Sequence, residues 1–467
     1  MAVLSTTLLV GLCSFMLTVW FVHHRRNMPP GPWSLPLIGY RFGGRPSHEI
    51  YQELSRRYGP IFSVRRGPYL TVVLNDKVSI RQALVKNGDA FSDRFVPKYI
   101  LEGIPDKNKS ASIVWSSGKS WSDLRKFGLV TLRAFGMGKK SLEPQINLEA
   151  KYLGDEIEAT QGKPIEILQY LNKATSNIIC QFVFGKRFDY DDVEYQKVVD
   201  SITRLFTSVS DSIELRTDFQ KAKKFIFSEV HRHRDTFQKS GIRSMVDAFI
   251  AHDVISQVFT FEEFWRVLLD FFAAGLETTS VTLSWIILYM ITNQDLQQKV
   301  QAELDNVVGR GRQPTLSDRE NLPFCEATIL EVMRLSPILP NLVPHKTSCD
   351  VSLSGYTIPK GTIVIPNIWA VHHDSKEWIN PEEFKPQRFL SDDGKTVVKS
   401  DAWMPFGVGR RECLGFQLAK MELFLFFTNL FQRFVFRIPP GQSQPSFQGV
   451  GGFTTAPTTY QTCATQR

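Results

Sequence analysis

The sequence predicts a mainly α-helical protein with a small β portion, folded as one large domain behind an N-terminal membrane-spanning helix. Apolar residues recur with helical spacing over most of the chain, whereas strand-like runs are few and short. A stretch without charged residues, 1–22, precedes the predicted domain. Because the strands are too few and too short, a doubly wound α/β sheet is excluded.

Helical periodicity is found at residues 143–160, 165–184, 219–237, 260–292, 295–308, 322–335 and 414–434. Strand-like runs are found at residues 61–64, 71–75, 351–353 and 363–366. The apolar stretch 280–292 is too short to cross a bilayer, and Asp270 and Glu277 interrupt the sequence before it. It is therefore predicted to belong to a buried core helix.

Composition is that of an ordinary folded protein, with 43% hydrophobic and 22% charged residues among 467. The net charge of +8 favours an acidic partner or an anionic membrane face, although a soluble basic protein has the same charge. No nucleic-acid-binding motif is found. The cysteines are scattered without a CxxC pair, which argues against a disulfide framework or a zinc site. They are Cys13, Cys180, Cys325, Cys349, Cys413 and Cys463.

The N-terminal stretch 1–22 is predicted to be a membrane anchor. As a helix rising about 1.5 Å per residue, it spans a hydrocarbon core of about 30 Å. The cluster His23-His24-Arg25-Arg26 follows it and places the rest of the chain on the cytoplasmic side. A cleaved signal peptide, the alternative, would carry its positive charge before the apolar core. Residues 23–36 form a basic, proline-rich hinge, and 37–467 the catalytic domain.

One cysteine lies in a glycine-containing turn directly before a predicted helix, in the run FGVGRRECLG that starts at Phe406. A helix N-terminus stabilises a thiolate at Cys413. Gly409 permits a turn that other residues disfavour, and Gly415 leaves room for a flat cofactor. Phe406 can shield the sulfur, and Arg411 can pair with an anionic group. A lone structural cysteine would not explain this combination.

With this spacing of Phe406, Gly409, Arg411, Cys413 and Gly415, the chain resembles the cytochrome P-450 superfamily. The resemblance implies a cytochrome P-450-like domain that binds haem b, with Cys413 as the axial ligand of the haem iron. Finer similarity points to the microsomal family-two branch of drug- and lipid-oxidising enzymes. It is carried by residues 29–32, 184–188, 358–362 and 452–453.

The run AGLETT, residues 274–279, interrupts an apolar helix with a glycine, an acid and two threonines. Glycine inside a helix costs about 1 kcal/mol relative to alanine, so its presence needs a reason. Glycine beside a hydroxyl could open the helix, and a kinked structural helix is the alternative. The resemblance implies that Thr278 stabilises bound oxygen and that Glu277 helps to supply protons.

Glu331 and Arg334 lie three residues apart on one face of a predicted helix. Such pairs are usually solvated and contribute little, but the apolar neighbours predict burial here. The resemblance implies that the pair joins Arg388 in a structural trio that holds the cysteine turn.

Trp121 and Arg125 are placed on one face of a helix, where they could bind an anion. The resemblance implies that they bind the haem propionates together with Arg94, His345 and Arg411. His345 is equally compatible with an ordinary loop histidine.

The resemblance further implies a set of substrate-facing residues, although ordinary core positions have the same residue types. They are Ile113, Phe272, Ala273, Ala274, Leu339, Val343 and Phe453.

The resemblance also implies a basic face that docks an electron-donating reductase. Its candidates are Arg125, Lys126, Arg133, Lys139, Lys140 and Arg410. The segment between Phe206 and Phe219, which connects the two helices over the substrate channel in the family, is shorter than in other members and predicts an altered lid. The segment between Ile250 and Phe259 is also shorter.

The predicted function is a monooxygenase of the endoplasmic reticulum membrane that inserts one oxygen atom of O2 into lipophilic small molecules such as xenobiotics, fatty acids or steroids. Electrons would come from NADPH through a flavoprotein reductase, with cytochrome b5 as a second donor. The alternatives are a reductase-independent isomerase or dehydratase of lipid hydroperoxides and a catalytically degenerate haem-binding membrane protein. The pair Glu277-Thr278 argues against the isomerase.

Overall fold

The computed structural model describes Gly11 and residues 27–34, 38–97, 112–207, 213–238, 241–252 and 259–467. Apart from Gly11, the predicted anchor lies outside these residues. Parts of the two shortened segments, 208–212 and 253–258, also lie outside them. Helices make up 52% and strands 11%, which confirms the predicted mainly α class.

The described α-helices, in chain order, are α1 (Ser47–Tyr58), α2 (Lys77–Arg81), α3 (Gly118–Ala134), α4 (Glu143–Ala159), α5 (Ile167–Phe184), α6 (Val193–Thr207), α7 (Ile213–Asp235), α8 (Met245–Ala251), α9 (Phe261–Thr292), α10 (Gln294–Val307), α11 (Pro323–Leu335), α12 (Ile368–His372) and α13 (Phe416–Arg433). The described strands are β1 (Ile61–Arg66), β2 (Tyr69–Leu74), β3 (Asp93–Arg94), β4 (His345–Lys346), β5 (Val351–Leu353), β6 (Tyr356–Ile358), β7 (Ile363–Pro366), β8 (Phe434–Arg437), β9 (Gly449–Gly451), β10 (Thr455–Pro457) and β11 (Cys463–Gln466).

The long helix α9 is the centre of the domain. Its start is fixed by a capping box, in which the backbone amide of Thr260 donates to the Glu263 carboxylate at 2.9 Å. It packs along α5 and also contacts α7, α11 and α13. Although α9 is long and apolar enough to cross a bilayer, 83% of its most apolar window is buried. The prediction of a core helix at 280–292 is therefore confirmed.

The largest described sheet has the strand order β1-β2-β7-β4-β3 and is antiparallel except for the parallel pair β2 and β7. Its buried face packs on an apolar cluster that includes Leu84, Phe91 and Phe389. A larger apolar cluster joins the helices from α3 to α11 and α13. The site described next lies where these two parts of the domain meet.

Candidate active site

A large cavity lies between α9, α13 and the turn that precedes α13. Its empty space, which includes space open to solvent, is about 1600 Å³. Most of its wall is apolar, with polar side chains concentrated near the cysteine turn.

The cysteine turn is closed by its own backbone. The amide of Cys413 donates to the carbonyl of Phe406 at 2.9 Å, and the amide of Glu412 donates to the carbonyl of Gly409 at 3.1 Å. Gly409 has φ +79°, and a Cβ there would collide with the carbonyl of Leu84. Gly409 is not among the residues that line the cavity, so its assignment as a cofactor contact stays a prediction. Its observed role is to shape the turn.

The Cys413 side chain is exposed because it faces the cavity. Burial by the surrounding protein raises the pKa of its thiol, against the backbone amide of Gly415 and the charge of Arg125, which lower it. The predicted stabilisation of a thiolate by the helix start is thus outweighed when the protein groups act alone. A metal cation bound to a cysteine sulfur removes the thiol proton outright.

Five hydrogen-bond donors predicted to bind an anion line one side of this cavity: Arg94, Trp121, Arg125, His345 and Arg411. Among the described residues, no carboxylate lies within ion-pair distance of the three guanidinium groups. Burial and the neighbouring arginines lower the pKa of Arg411 to about 8 and that of Arg94 to about 9. One buried and two partly buried cations without a counter-charge are unfavourable unless an anion binds between them.

Individual contacts orient these donors. The guanidinium carbon of Arg411 lies 3.8 Å from the centre of the Trp121 ring, and Arg125 donates to the carbonyl of Glu412 at 2.7 Å. The Nε atoms of Arg94 and the Trp121 indole are buried and have no hydrogen-bond partner within the described part of the chain. These donors are free to bind carboxylates.

The residues fit haem b, which is flat, carries two propionates and needs one axial ligand from the protein. Cys413 supplies a sulfur that faces the cavity, and Arg94, Trp121, Arg125 and Arg411 supply donors for the propionates. Gly415 lines the cavity, and a Cβ at this position would meet nothing within 4 Å, so the position leaves open space for a flat group.

The predicted trio on α11 is assembled and buried. Arg334 donates to Glu331 at 2.7 and 2.9 Å, and Arg388 donates to the same carboxylate at 2.8 Å. Arg334 also donates to the carbonyl of His372 at 2.7 Å, and the His372 Nε2 accepts from the amide of Met404 at 3.1 Å. The trio is thereby linked to the start of the cysteine turn. His372 was missed by the sequence analysis.

A sequence model of the cytochrome P450 family matches residues 29–464. The chain belongs to the cytochrome P450 family. Members of this family are haem b monooxygenases, and microsomal members receive electrons from NADPH through a reductase.

Individual relatives match over nearly their whole length. The chain is 38% identical to human cytochrome P450 2J2, covering 98% of this chain and 95% of the relative. It is 37% identical to human cytochrome P450 2U1, with coverage of 96% and 91%, and 37% identical to cytochrome P450 2D20 of Mesocricetus auratus, with coverage of 97% and 96%.

In this cytochrome P450, Thr278 lines the cavity and donates to the carbonyl of Ala274 at 2.6 Å. The helix is continuous from Phe261 to Thr292, so the predicted opening at Gly275 is not observed. A Cβ at Gly275 would lie 2.8 Å from the Ile179 side chain on α5. The glycine is therefore explained by close packing of α5 against α9.

Glu277 does not line the cavity, and its part in supplying protons stays a prediction. Its carboxyl group is fully buried, and both oxygens lack a hydrogen bond of ordinary geometry among the described residues. Burial raises the pKa of Glu277 to about 7, while the hydroxyls of Thr203 on α6 and Thr454 lower it. The side chain therefore faces α6 and the C-terminal hairpin, which is formed by β9 and β10.

Replacing Glu277 with glutamine is expected to stabilise the protein at pH 7.5 and above. A carboxyl group with a pKa raised from 4.5 to about 7 keeps its proton longer in the folded state, so stability is lost as the pH rises between these values. The amide never ionises, and its advantage should grow from nearly zero at pH 4 to about 3 kcal/mol. Urea unfolding of both proteins across this range measures it. An advantage independent of pH would contradict this assignment.

The predicted substrate-facing residues divide into two groups. Ile113, Ala274, Leu339 and Val343 line the cavity. Phe272, Ala273 and Phe453 are not among its lining residues, and their contact with substrate stays a prediction. The ring of Phe272 is fully buried against Phe184 and Phe225, and Phe453 packs on Trp115 and Phe206. Phe272 therefore fills the core between helices, whereas Phe453 is half-buried.

Asp270 on α9 is a cavity residue that the sequence analysis noted only as an interruption. Its carboxylate accepts from the hydroxyl of Ser112 at 2.7 Å and from the amides of Ile113 and Val114 at 2.7 and 3.2 Å. Burial raises its pKa to about 6 against these hydrogen bonds. Arg411 donates to the carbonyl of Ile113 at 3.2 Å. The loop at residues 112–114 is thus held by α9 and by the cysteine turn.

Proposed function

We propose that this cytochrome P450 is a monooxygenase of the endoplasmic reticulum membrane that oxidises lipophilic small molecules such as xenobiotics, fatty acids or steroids. The observation that carries the proposal is that the Cys413 sulfur and the Thr278 hydroxyl face one mostly apolar cavity. When bound, haem supplies the activation of molecular oxygen, and a thiolate ligand favours cleavage of the O–O bond.

The chain's own residues bind and orient the cofactor and supply protons. Cys413 binds the iron, and the donors Arg94, Trp121, Arg125, His345 and Arg411 bind the propionates. Phe406 lines the cavity next to the sulfur and limits its contact with water. The trio of Glu331, Arg334 and Arg388 holds the turn in place.

Thr278 holds a hydroxyl at the cavity surface, where it donates a hydrogen bond or relays a proton. Glu277 stores a proton behind it, away from the substrate. Ile113, Ala274, Leu339 and Val343 exclude water and contact the substrate. The isomerase and degenerate alternatives gain no support, because the acid, the hydroxyl and the cysteine are all present.

Purified protein with added reductase is expected to convert lipophilic substrates only when oxygen and NADPH are both supplied. Replacing Thr278 with valine should lower product per NADPH about tenfold or more, because positioned proton donors contribute about 10²- to 10⁴-fold. Serine at the same position is the matched control and should retain most of the yield. Consumption of a lipid hydroperoxide without NADPH, or absence of product across a broad apolar panel, would overturn the proposal.

Electrons are proposed to arrive at a basic face beside the cysteine turn, from a flavoprotein reductase or cytochrome b5. Lys126, Arg133, Lys139 and Lys140 are exposed there, which supports this assignment. Arg125 faces the cavity and bonds the turn, so we assign it to the cofactor rather than to docking. Arg410 is exposed and ion-paired with Asp89.

Reversing two charges on this face, Lys126→Glu with Arg133→Glu, is expected to raise the KM for the reductase about tenfold at low salt. Complementary charges steer association, and salt screens them over about 10 Å at 0.1 M. The difference from the original protein should therefore shrink as salt is added. Lys163→Glu, on an exposed loop before α5, is the control. An unchanged KM for the double variant would exclude this docking face.

The membrane location is proposed from residues 1–22 as a single-pass anchor and 23–36 as a hinge, with the catalytic domain 37–467 on the cytoplasmic side. The uncharged apolar stretch and the basic cluster after it support this arrangement.

A further inference from the structure

A second buried carboxyl group lies in the cavity wall, and the mechanism above does not use it. Glu422 on α13 is 2% exposed and lines the cavity, unlike Glu277. Thr279 on α9 lines the same cavity, and its hydroxyl lowers the pKa of Glu422. Thr279 directly follows Thr278, the proposed relay residue, on the same helix.

Three other buried acids on helices that pack against α13 are ion-paired, whereas Glu277 on α9 is not. Glu149 on α4 pairs with Arg187, and Glu326 and Glu331 on α11 pair with arginines. Glu422 has no such partner among the described residues, and none of those residues shifts its pKa through a charge. Burial raises its pKa to about 8, with the Thr279 hydroxyl lowering it. Glu422 is therefore mostly protonated at neutral pH.

A buried acid without a counter-charge costs stability, and helix packing alone would favour an apolar residue in its place. Its neighbours Met421, Leu423 and Phe424 are buried apolar side chains that pack in the core. Perturbed acids that lie in a cavity wall are candidates for proton chemistry. The position of Glu422 in the wall, together with its hydroxyl partner, is thus accounted for by function.

We propose that Glu422 is a second proton-holding residue of the active site and supplies the cavity through Thr279. The inference rests on the proposed monooxygenase function. In the transfer, the carboxyl O–H bond of Glu422 breaks as Thr279 Oγ gains that proton. The original hydroxyl proton of Thr279 passes to a water molecule in the cavity. Water from the cavity opening then returns a proton to the carboxylate, so one proton is delivered and no electron is moved.

In this proposal, Glu277 and Glu422 supply protons to the consecutive threonines Thr278 and Thr279 from different sides of α9. Glu277 faces α6 and the C-terminal hairpin, whereas Glu422 faces the cavity itself. Replacement of either acid should leave a residual proton supply through the other.

The test uses the full-length haem-loaded protein and its variants Glu422→Gln and Thr279→Val. Thr428→Val, a buried hydroxyl on the same helix that bonds only carbonyls of its own helix, is the control. Infrared spectra at neutral pH report protonated carboxyl groups independently of turnover. Product per NADPH and the solvent deuterium isotope effect report proton supply.

We expect Glu422→Gln to lose one protonated-carboxyl band and Thr279→Val to shift that band. Both should lower product per NADPH about tenfold and enlarge the solvent isotope effect, whereas Thr428→Val should change neither. The red-shifted Soret band of the reduced carbon monoxide complex should persist in all variants, which separates this test from failure of the monooxygenase proposal. Should Glu422→Gln not fold, Thr279→Val alone decides. An unchanged carboxyl band, or unchanged product yield in the folded variants, would overturn the proposal.

Discussion

Replacing Cys413 with serine is expected to abolish the red-shifted Soret band of the reduced carbon monoxide complex. That band requires a thiolate bound to the haem iron, and serine offers no sulfur at the cavity surface. Product formation should fall by more than the about 10- to 100-fold that changes around a metal ligand typically cause. Absorbance spectra and turnover with reductase measure the two effects.

The matched control for this change is Cys349→Ser, because Cys349 is also a free and exposed cysteine but does not line the cavity. It should retain both the band and the turnover. Persistence of the red-shifted band in the Cys413 variant would mean that another residue binds the iron, and the site would have to be reassigned.

Replacing Arg334 with alanine is expected to destabilise the fold by about 3–5 kcal/mol. Arg334 and Glu331 are both 0% exposed, and loss of one member of a buried pair leaves the other charge poorly compensated. Arg388 keeps one bond to the carboxylate, so the lower end of the range is expected. Urea unfolding measures the change. Because Arg334 is linked through His372 to Met404, the fraction of protein that retains haem should fall as well.

Lys197→Ala provides a control with the same spacing. Lys197 pairs with Glu194 three residues away, but the side chains are 62% and 84% exposed. Exposed pairs contribute about 0–1 kcal/mol, so its removal should be nearly neutral. A similarly small change in the Arg334 variant would show that the buried trio does not stabilise the domain.

Most of the long helices could be predicted from the sequence, because their apolar periodicity can be recognised without knowledge of tertiary contacts. The predicted helix at 143–160 differs from the observed Glu143–Ala159 by one residue. The amphipathic helix Val193–Thr207 was not predicted, nor were the C-terminal strands such as Gly449–Gly451. The strand Gly449–Gly451 contains two glycines, which are depleted in strands and show no side-chain alternation.

The same distinction between local pattern and tertiary contact applies to the site. A motif fixed by local spacing, such as that of Cys413 and Arg411, could be located from the sequence, and the structure places both residues in one cavity. Orientation could not be derived, because a helix presents consecutive residues about 100° apart and a single sequence does not show which neighbour covers each face. For this reason Phe272 was predicted to face the substrate although its ring is fully buried, whereas Glu422 was overlooked within an apolar run.

Arg411 has a consequence for how new specificities could arise in this protein. One guanidinium group is assigned to cofactor retention and also bonds the carbonyl of Ile113, whose amide is held by Asp270. A change in that loop to admit a different compound would therefore weaken binding of the prosthetic group. Substitutions should be better tolerated at cavity-wall positions such as Leu339, which do not contact Arg411 or Asp270 through these hydrogen bonds.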